Sequence, residues 1–187
     1  MNIEQTEIPD VVRITPKRFG DDRGYFSEVF KEQWFRENIS DVGFIQDNQS
    51  LSAKVGTIRG LHFQTDPFAQ GKLVRCLAGS LFDVAVDIRQ GSPTFGKWVG
   101  FELTPENGEQ LWVPPGFAHG FATLKPDTVI LYKVTAAYSP ANDAGLAWND
   151  PDIGIDWPVD PNDVTLSEKD AVLPRLSEIT SNFVYSA

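Results

Sequence analysis

Phe82-Asp83-Val84-Ala85-Val86-Asp87-Ile88 decides the fold class. Four large apolar residues alternate with Asp83, Ala85 and Asp87, the period-two pattern of a half-buried β-strand. Working outward, Lys97 to Leu103, Gln110 to Val113 and Val129 to Thr135 are further short runs rich in β-branched and aromatic residues. Turn formers separate them: Gly71, Gly79, Gly91-Ser92-Pro93, Pro105-Glu106-Asn107-Gly108, Pro114-Pro115-Gly116 and Pro126-Asp127. Short strands at this spacing predict an all-β sandwich or barrel. One early helix is expected over Lys31 to Asn38, with Trp34 and Phe35 turned toward the body. The acidic, proline-rich stretch from Asn149 to Asp163 reads as a loop laid over the barrel. A short helix is expected at Ser167 to Val172, with Ser167 as its N-cap. Neither repeats nor a linker interrupt the chain, which reads as one domain over residues 1–187.

Composition narrows the class of function. The chain is 41% apolar, 12% aromatic and 22% charged, the balance of a soluble globular protein. The sequence contains no run of about 18 apolar residues of the kind that spans a bilayer. The polar, acidic start from Met1 to Asp10 lacks the pattern of a secretory signal, so a cytoplasmic location is expected. Cys76 is the only cysteine, which excludes an intrachain disulfide and a cysteine-built metal cluster. A net charge of −10 argues against nucleic acid or an anionic membrane as partner. It leaves room for a small anion held by a few gathered cations.

The chain has two histidines, His62 and His119. The first sits in Gly56-Thr57-Ile58-Arg59-Gly60-Leu61-His62-Phe63-Gln64, followed by Lys72 and then Gly79. The second closes Gly108-Glu109-Gln110-Leu111-Trp112-Val113-Pro114-Pro115-Gly116-Phe117-Ala118-His119. These segments resemble the two motifs of the cupin superfamily. The resemblance implies a double-stranded β-helix, or jelly roll, with both histidines pointing into one barrel. Metal-binding cupins carry a second histidine and a glutamate where this chain has Gln64 and Lys72. A lysine ammonium has no lone pair to offer and repels a divalent cation. The resemblance therefore implies a barrel with no metal and no other cofactor, refitted to handle protons.

A closer resemblance rests on segments in register from about residue 8 to about residue 178. They are Arg23-Gly24-Tyr25-Phe26-Ser27-Glu28, Gln46-Asp47-Asn48-Gln49-Ser50, Arg59 to Gln64, Gln70 to Arg75, Pro114 to Phe121, Tyr132 and Leu166-Ser167-Glu168-Lys169-Asp170. Together they resemble the dTDP-4-dehydrorhamnose 3,5-epimerase family. The resemblance implies epimerisation at C3 and C5 of dTDP-4-keto-6-deoxy-glucose, whose C4 ketone acidifies both hydrogens. Such a reaction needs a base on one face, stabilisation of the enolate and an acid on the other face. The resemblance assigns His62 as base, Asp170 as its partner, Lys72 as enolate stabiliser and Tyr132 as acid. It places Arg23, Arg59, Lys72, His119 and Lys169 around the sugar and diphosphate, and Glu28, Gln46, Asp47 and Asn48 around the thymidine. Phe26 and Tyr138 are its stacking candidates, and Asp143 stands where the family often has glutamate. It also implies a homodimer in which early strands complete the partner's site.

Each residue has a plainer reading by itself. Tyr132 lies between Ile130 and Val134 and reads as core. Lys72 and Lys169 read as solvated surface lysines, and Asp170 as a carboxylate in a helix's first turn. The joint match is what outweighs these readings. On an unbroken strand Arg59 and His62 would point to opposite faces. If both reach one ligand, Gly60 marks a bulge or irregular turn. Two alternatives stay open from sequence: a relative that inverts only C3 or only C5 of another dTDP-ketosugar, and a non-catalytic or metal-dependent cupin.

Overall fold

A computed structural model describes residues 1–186. Its first layer is a six-stranded antiparallel sheet of β1 (Asn2–Gln5), β2 (Val12–Thr15), β5 (Gln46–Ser52), β7 (Lys72–Ala78), β10 (Gln110–Val113) and β12 (Thr128–Val134). These run in the order β1-β2-β10-β7-β12-β5. The second layer is built from β6 (Ile58–Gln64), β8 (Leu81–Asp87), β9 (Trp98–Leu103), β11 (Phe117–Thr123) and β13 (Asp143–Gly145), in the order β13-β6-β11-β8-β9. A separate hairpin pairs β3 (Arg18–Asp21) with β4 (Gly24–Ser27). The chain crosses repeatedly between the two main sheets, giving the all-β jelly roll of the cupin type that the sequence leads one to expect.

The expected strands fall close to their observed bounds, but the alternation in β8 means something different from a half-exposed strand. Val84, Val86 and Ile88 pack outward beneath Leu146, Ile153 and Phe183, which come from the long C-terminal segments. Ala85 packs inward with Val74, Leu111 and Ile130. Asp83 and Asp87 are fully buried. The C-terminal chain covers the outer face, so the polar side of the pattern lines the interior and not solvent. Asp87 is satisfied there by Arg89, Ser92 and Thr94. Burial alone would raise its pKa, and these hydrogen bonds outweigh that and hold it below the usual carboxylate range.

On the other side, α1 (Glu32–Asn38) lays Phe35 against Trp112 at a ring separation of 5.1 Å, over Val12, Ile14 and Leu73. Residues 149–163 form no regular helix or strand, as expected of a covering loop. The expected helix at Ser167 to Val172 contracts to a single 3-10 turn, Asp170–Val172. Lys169, not Ser167, stands at the N-cap of this turn, and Ser167 Oγ accepts the Asp170 N–H from further upstream at 3.0 Å.

Candidate active site

The two sheets enclose two adjoining cavities of about 450 and 320 Å³, and His62, Lys72 and Tyr132 line both. The first is further lined by Ser50, Arg59, His119, Phe121, Ser167 and Asp170. The second is lined by Gln46, Asn48, Gln70, Tyr138, Asp143 and Lys169. His62 and His119 come from the five-stranded sheet, on β6 and β11. Lys72 and Tyr132 come from the six-stranded sheet, on β7 and β12. The groups assigned as base and acid thus stand on opposing walls.

A local irregularity brings Arg59 and His62 into the same cavity. His62 lies opposite His119 and Arg59 opposite Phe121, so β6 takes three steps where β11 takes two. This is a β-bulge at Gly60, as the sequence requires if both side chains reach one ligand. Gly60 has φ 124°, and a Cβ on it would stand 2.6 Å from the Gly120 Cα. Only glycine fits both conditions.

His62 Nε2 lies 2.6 Å from Asp170 Oδ1. A carboxylate accepts, so the ring proton sits on Nε2 and the lone pair is left on Nδ1. Burial alone would raise the pKa of Asp170. Hydrogen bonds from His62, Ser167 and the Gly60 backbone outweigh it and hold the carboxyl below its ordinary value. His119 repeats the arrangement in a drier setting, with Nε2 2.8 Å from Asp83 Oδ1. Burial lowers its pKa despite the opposing pull of Asp83, so this imidazole is neutral at pH 7. Desolvation brings Lys72 down to about 8, partly offset by Asp83 and Asp143. Burial raises the phenol of Tyr132, opposed by Arg59, which keeps it protonated at neutral pH.

The remaining site residues separate clearly. Lys169 pairs with Asp143, which also accepts the Tyr138 hydroxyl at 2.9 Å. Gln46 and Asn48 share the inward face of β5, whereas Asp47 points to the outer face and pairs with Lys133 at 2.9 Å. Arg23, Phe26 and Glu28 lie on or beside the β3–β4 hairpin and line neither cavity of their own chain. Arg23 is bound instead to Asp21. Sequence reasoning missed Asp83, whose one signal was an aspartate on the interior side of an apolar strand. Ser167, expected only as a helix cap, also supports the Asp170 carboxylate.

The donors available do not suit a divalent cation. Both histidines give Nε2 to a carboxylate, Lys72 presents an ammonium, and both amide hydrogens of Gln64 are held by carbonyls of Phe68 and Ala137. Among the described residues, no three or more His, Cys, Asp or Glu side chains converge as a metal site.

Residues 5–178 match the family described as dTDP-4-dehydrorhamnose 3,5-epimerase. The enzyme of that name from Sinorhizobium fredii is 64% identical over 185 residues, covering 99% of this chain and 94% of that one. The one from Shigella flexneri is 53% identical over 171 residues, covering 91% and 93%. Among solved structures, the dTDP-6-deoxy-D-glucose-3,5-epimerase of Legionella pneumophila in complex with dTDP-4-keto-L-rhamnose is similar with a TM-score of 0.94 and 45% identity, covering 100% of this chain and 99% of that one.

Proposed function

Because the chain belongs to the dTDP-4-dehydrorhamnose 3,5-epimerase family, we propose a mechanism by which its barrel inverts C3 and C5 of dTDP-4-dehydro-6-deoxy-D-glucose to give dTDP-4-dehydro-L-rhamnose. His62 removes the proton beside the ketone through Nδ1. Asp170 holds the Nε2 proton and supports the imidazolium that forms. The electron pair moves to the C4 oxygen, where the Lys72 ammonium stabilises the enolate. Tyr132 then delivers a proton to the opposite face of the same carbon. Exchange with solvent returns a proton to Tyr132 and removes one from His62 before the second carbon reacts. The observation that carries this reading is His62 on one sheet, held by Asp170 from the C-terminal 3-10 turn, facing Tyr132 and Lys72 on the other sheet around a shared space.

Arg59 and Lys169 supply cations for the diphosphate, and His119 faces the sugar. Gln46, Asn48 and Tyr138 line the cavity on the nucleotide's side. Arg23, Phe26 and Glu28 complete a neighbouring copy's site in a homodimer. Supporting that assembly, the hairpin leaves Phe19, Tyr25 and Phe26 between 52% and 67% exposed, an unusual aromatic exposure for a free surface. Asp47, on the outer face, is placed to support the edge strand through Lys133 rather than to touch thymidine. Among the described residues no helix is long and apolar enough to cross a membrane; a cytoplasmic enzyme is the reading we adopt.

Incubation with dTDP-4-dehydro-6-deoxy-D-glucose in D2O, followed by NMR, tests the assignment. Deuterium at both C3 and C5 with accumulation of the L-sugar is expected. Absence of exchange at either carbon overturns it.

A further inference from the structure

Gln64 is a buried side chain whose amide groups are all engaged. Its Nε2 donates to the carbonyls of Phe68 at 2.7 Å and Ala137 at 3.0 Å, and its Oε1 accepts the Ser139 N–H at 2.8 Å. The donor and acceptor pattern fixes the amide orientation, because reversing it would set a carbonyl against two carbonyls. The grip falls on the peptide groups on both sides of Tyr138. A second glutamine extends it: Gln70 Nε2 donates to the Ala136 carbonyl at 2.7 Å. Thr135 Oγ1 accepts the Gly71 N–H at 2.8 Å. Residues 135–139, which leave β12, are thus fastened side chain to backbone onto residues 64–71.

Tyr138 itself is 61% exposed and makes one side-chain hydrogen bond, to Asp143. Its ring direction is therefore set by its backbone together with that single bond. We infer that Gln64 and Gln70 are positioning residues that fix the Tyr138 ring at the mouth of the second cavity and so set affinity for the nucleotide. Neither glutamine supplies a proton or a charge to the reaction. The inference rests on the reading that Tyr138 faces the nucleotide.

Loss of a buried partner that grips two peptide groups leaves those groups unsatisfied and lets the segment shift. The test uses the full-length protein and dTDP as probe. Binding is measured by calorimetry for the wild type, Gln64→Leu, Tyr138→Ala and the double variant, with kcat and KM measured beside it. Gln64→Leu should raise the dTDP Kd and the substrate KM by about tenfold while kcat stays within about twofold. In the Tyr138→Ala background the same change should add little, since the two act through one ring. Gln64→Glu, which keeps shape and the acceptor for Ser139 but loses both donors, and Gln70→Leu supply independent readings if Gln64→Leu fails to fold. Gln70→Leu should show the same split to a smaller degree. Tyr138→Ala with unchanged dTDP affinity overturns both the nucleotide reading of Tyr138 and the inference. Weakened binding in Tyr138→Ala, with no effect of the glutamine variants or with fully multiplicative effects, overturns the inference alone. So does a fall in kcat at constant KM.

Discussion

His62 and His119 stand directly opposite each other on β6 and β11, and each gives its Nε2 to a different buried carboxylate. The two pairs are not equivalent. The His62 side chain is 31% exposed and its partner Asp170 arrives on the C-terminal segment. The His119 side chain is 8% exposed and its partner Asp83 lies inside the barrel. An imidazole that must release its proton to solvent after each abstraction needs the open position. One that only accepts a hydrogen bond from a sugar hydroxyl does not.

Asp170→Asn should therefore reduce kcat/KM sharply. The asparagine amide can donate toward Nε2 and favours the tautomer with the proton on Nδ1, which removes the base. A loss of about 10²–10⁴ is expected, similar to His62→Ala, since a positioned general base is worth that much. Steady-state kinetics of both variants and the double variant checks it. If the double variant is slower than the wild type by the product of the two single losses, the pair does not act as a unit.

The rate should decline as pH rises through the value near 8 to which burial brings Lys72. Below that value the side chain is an ammonium and stabilises the enolate; above it the neutral amine does not. Tyr132 is raised above its ordinary value and so adds no limb in this range. Lys72→Arg, whose charge persists at every working pH, should move the limb out of the range while lowering the maximum rate. A limb unmoved in Lys72→Arg assigns it to another group.

Much of this site was legible because its residues sit in short, ordered motifs. His62, Lys72, Tyr132 and Asp170 are 108 residues apart at the extremes, yet the jelly roll brings them around one space. The strands were legible from alternation, but the meaning of alternation was not. Asp83 and Asp87 look like the wet side of β8 until the C-terminal chain is known to cover the other face. Gln64 stands where metal-binding cupins carry a ligand, and what the sequence does not show is that its amide is turned onto the backbone beside Tyr138. Both are long-range facts: they depend on segments far off in sequence, and local period carries no trace of them. Arg23, Phe26 and Glu28 lie on or beside a hairpin that lines neither cavity of its own chain, a placement that no local pattern announces.

The bulge at Gly60 makes a stability prediction. A Cβ on Gly120 would lie 2.8 Å from the Arg59 carbonyl oxygen and 3.2 Å from the Gly60 Cα. Both are backbone atoms and cannot rotate away. Gly120→Ala should cost about 2–3 kcal/mol by forcing β6 and β11 apart, a fall in Tm of roughly 5–10 °C for a chain of this size. Activity should fall beyond the loss of folded protein, because the same bulge directs Arg59 and His62 into one cavity. Calorimetry and kinetics on the folded fraction check both. A variant with wild-type Tm would mean that the strands relax at no cost.

Tyr132 and His62 occupy opposing sheets, so removing each should leave a different residue of chemistry. Tyr132→Phe keeps the ring against its core neighbours Val74 and Ile130 and removes only the proton donor. His62 can still abstract a proton. Once its imidazolium exchanges with solvent, it can return deuterium to the face from which the proton left. Exchange with retention should then outlast inversion in Tyr132→Phe, whereas His62→Ala should lose both together, each by about 10²–10⁴. The measurement is deuterium uptake at C3 and C5 by NMR beside formation of the L-sugar, in D2O, for the two variants. Lys72 is intact in both, so the enolate remains stabilised and the comparison isolates proton delivery. Inversion of C5 by Tyr132→Phe at the wild-type rate would show that the acid is another group and that Tyr132 contributes only packing.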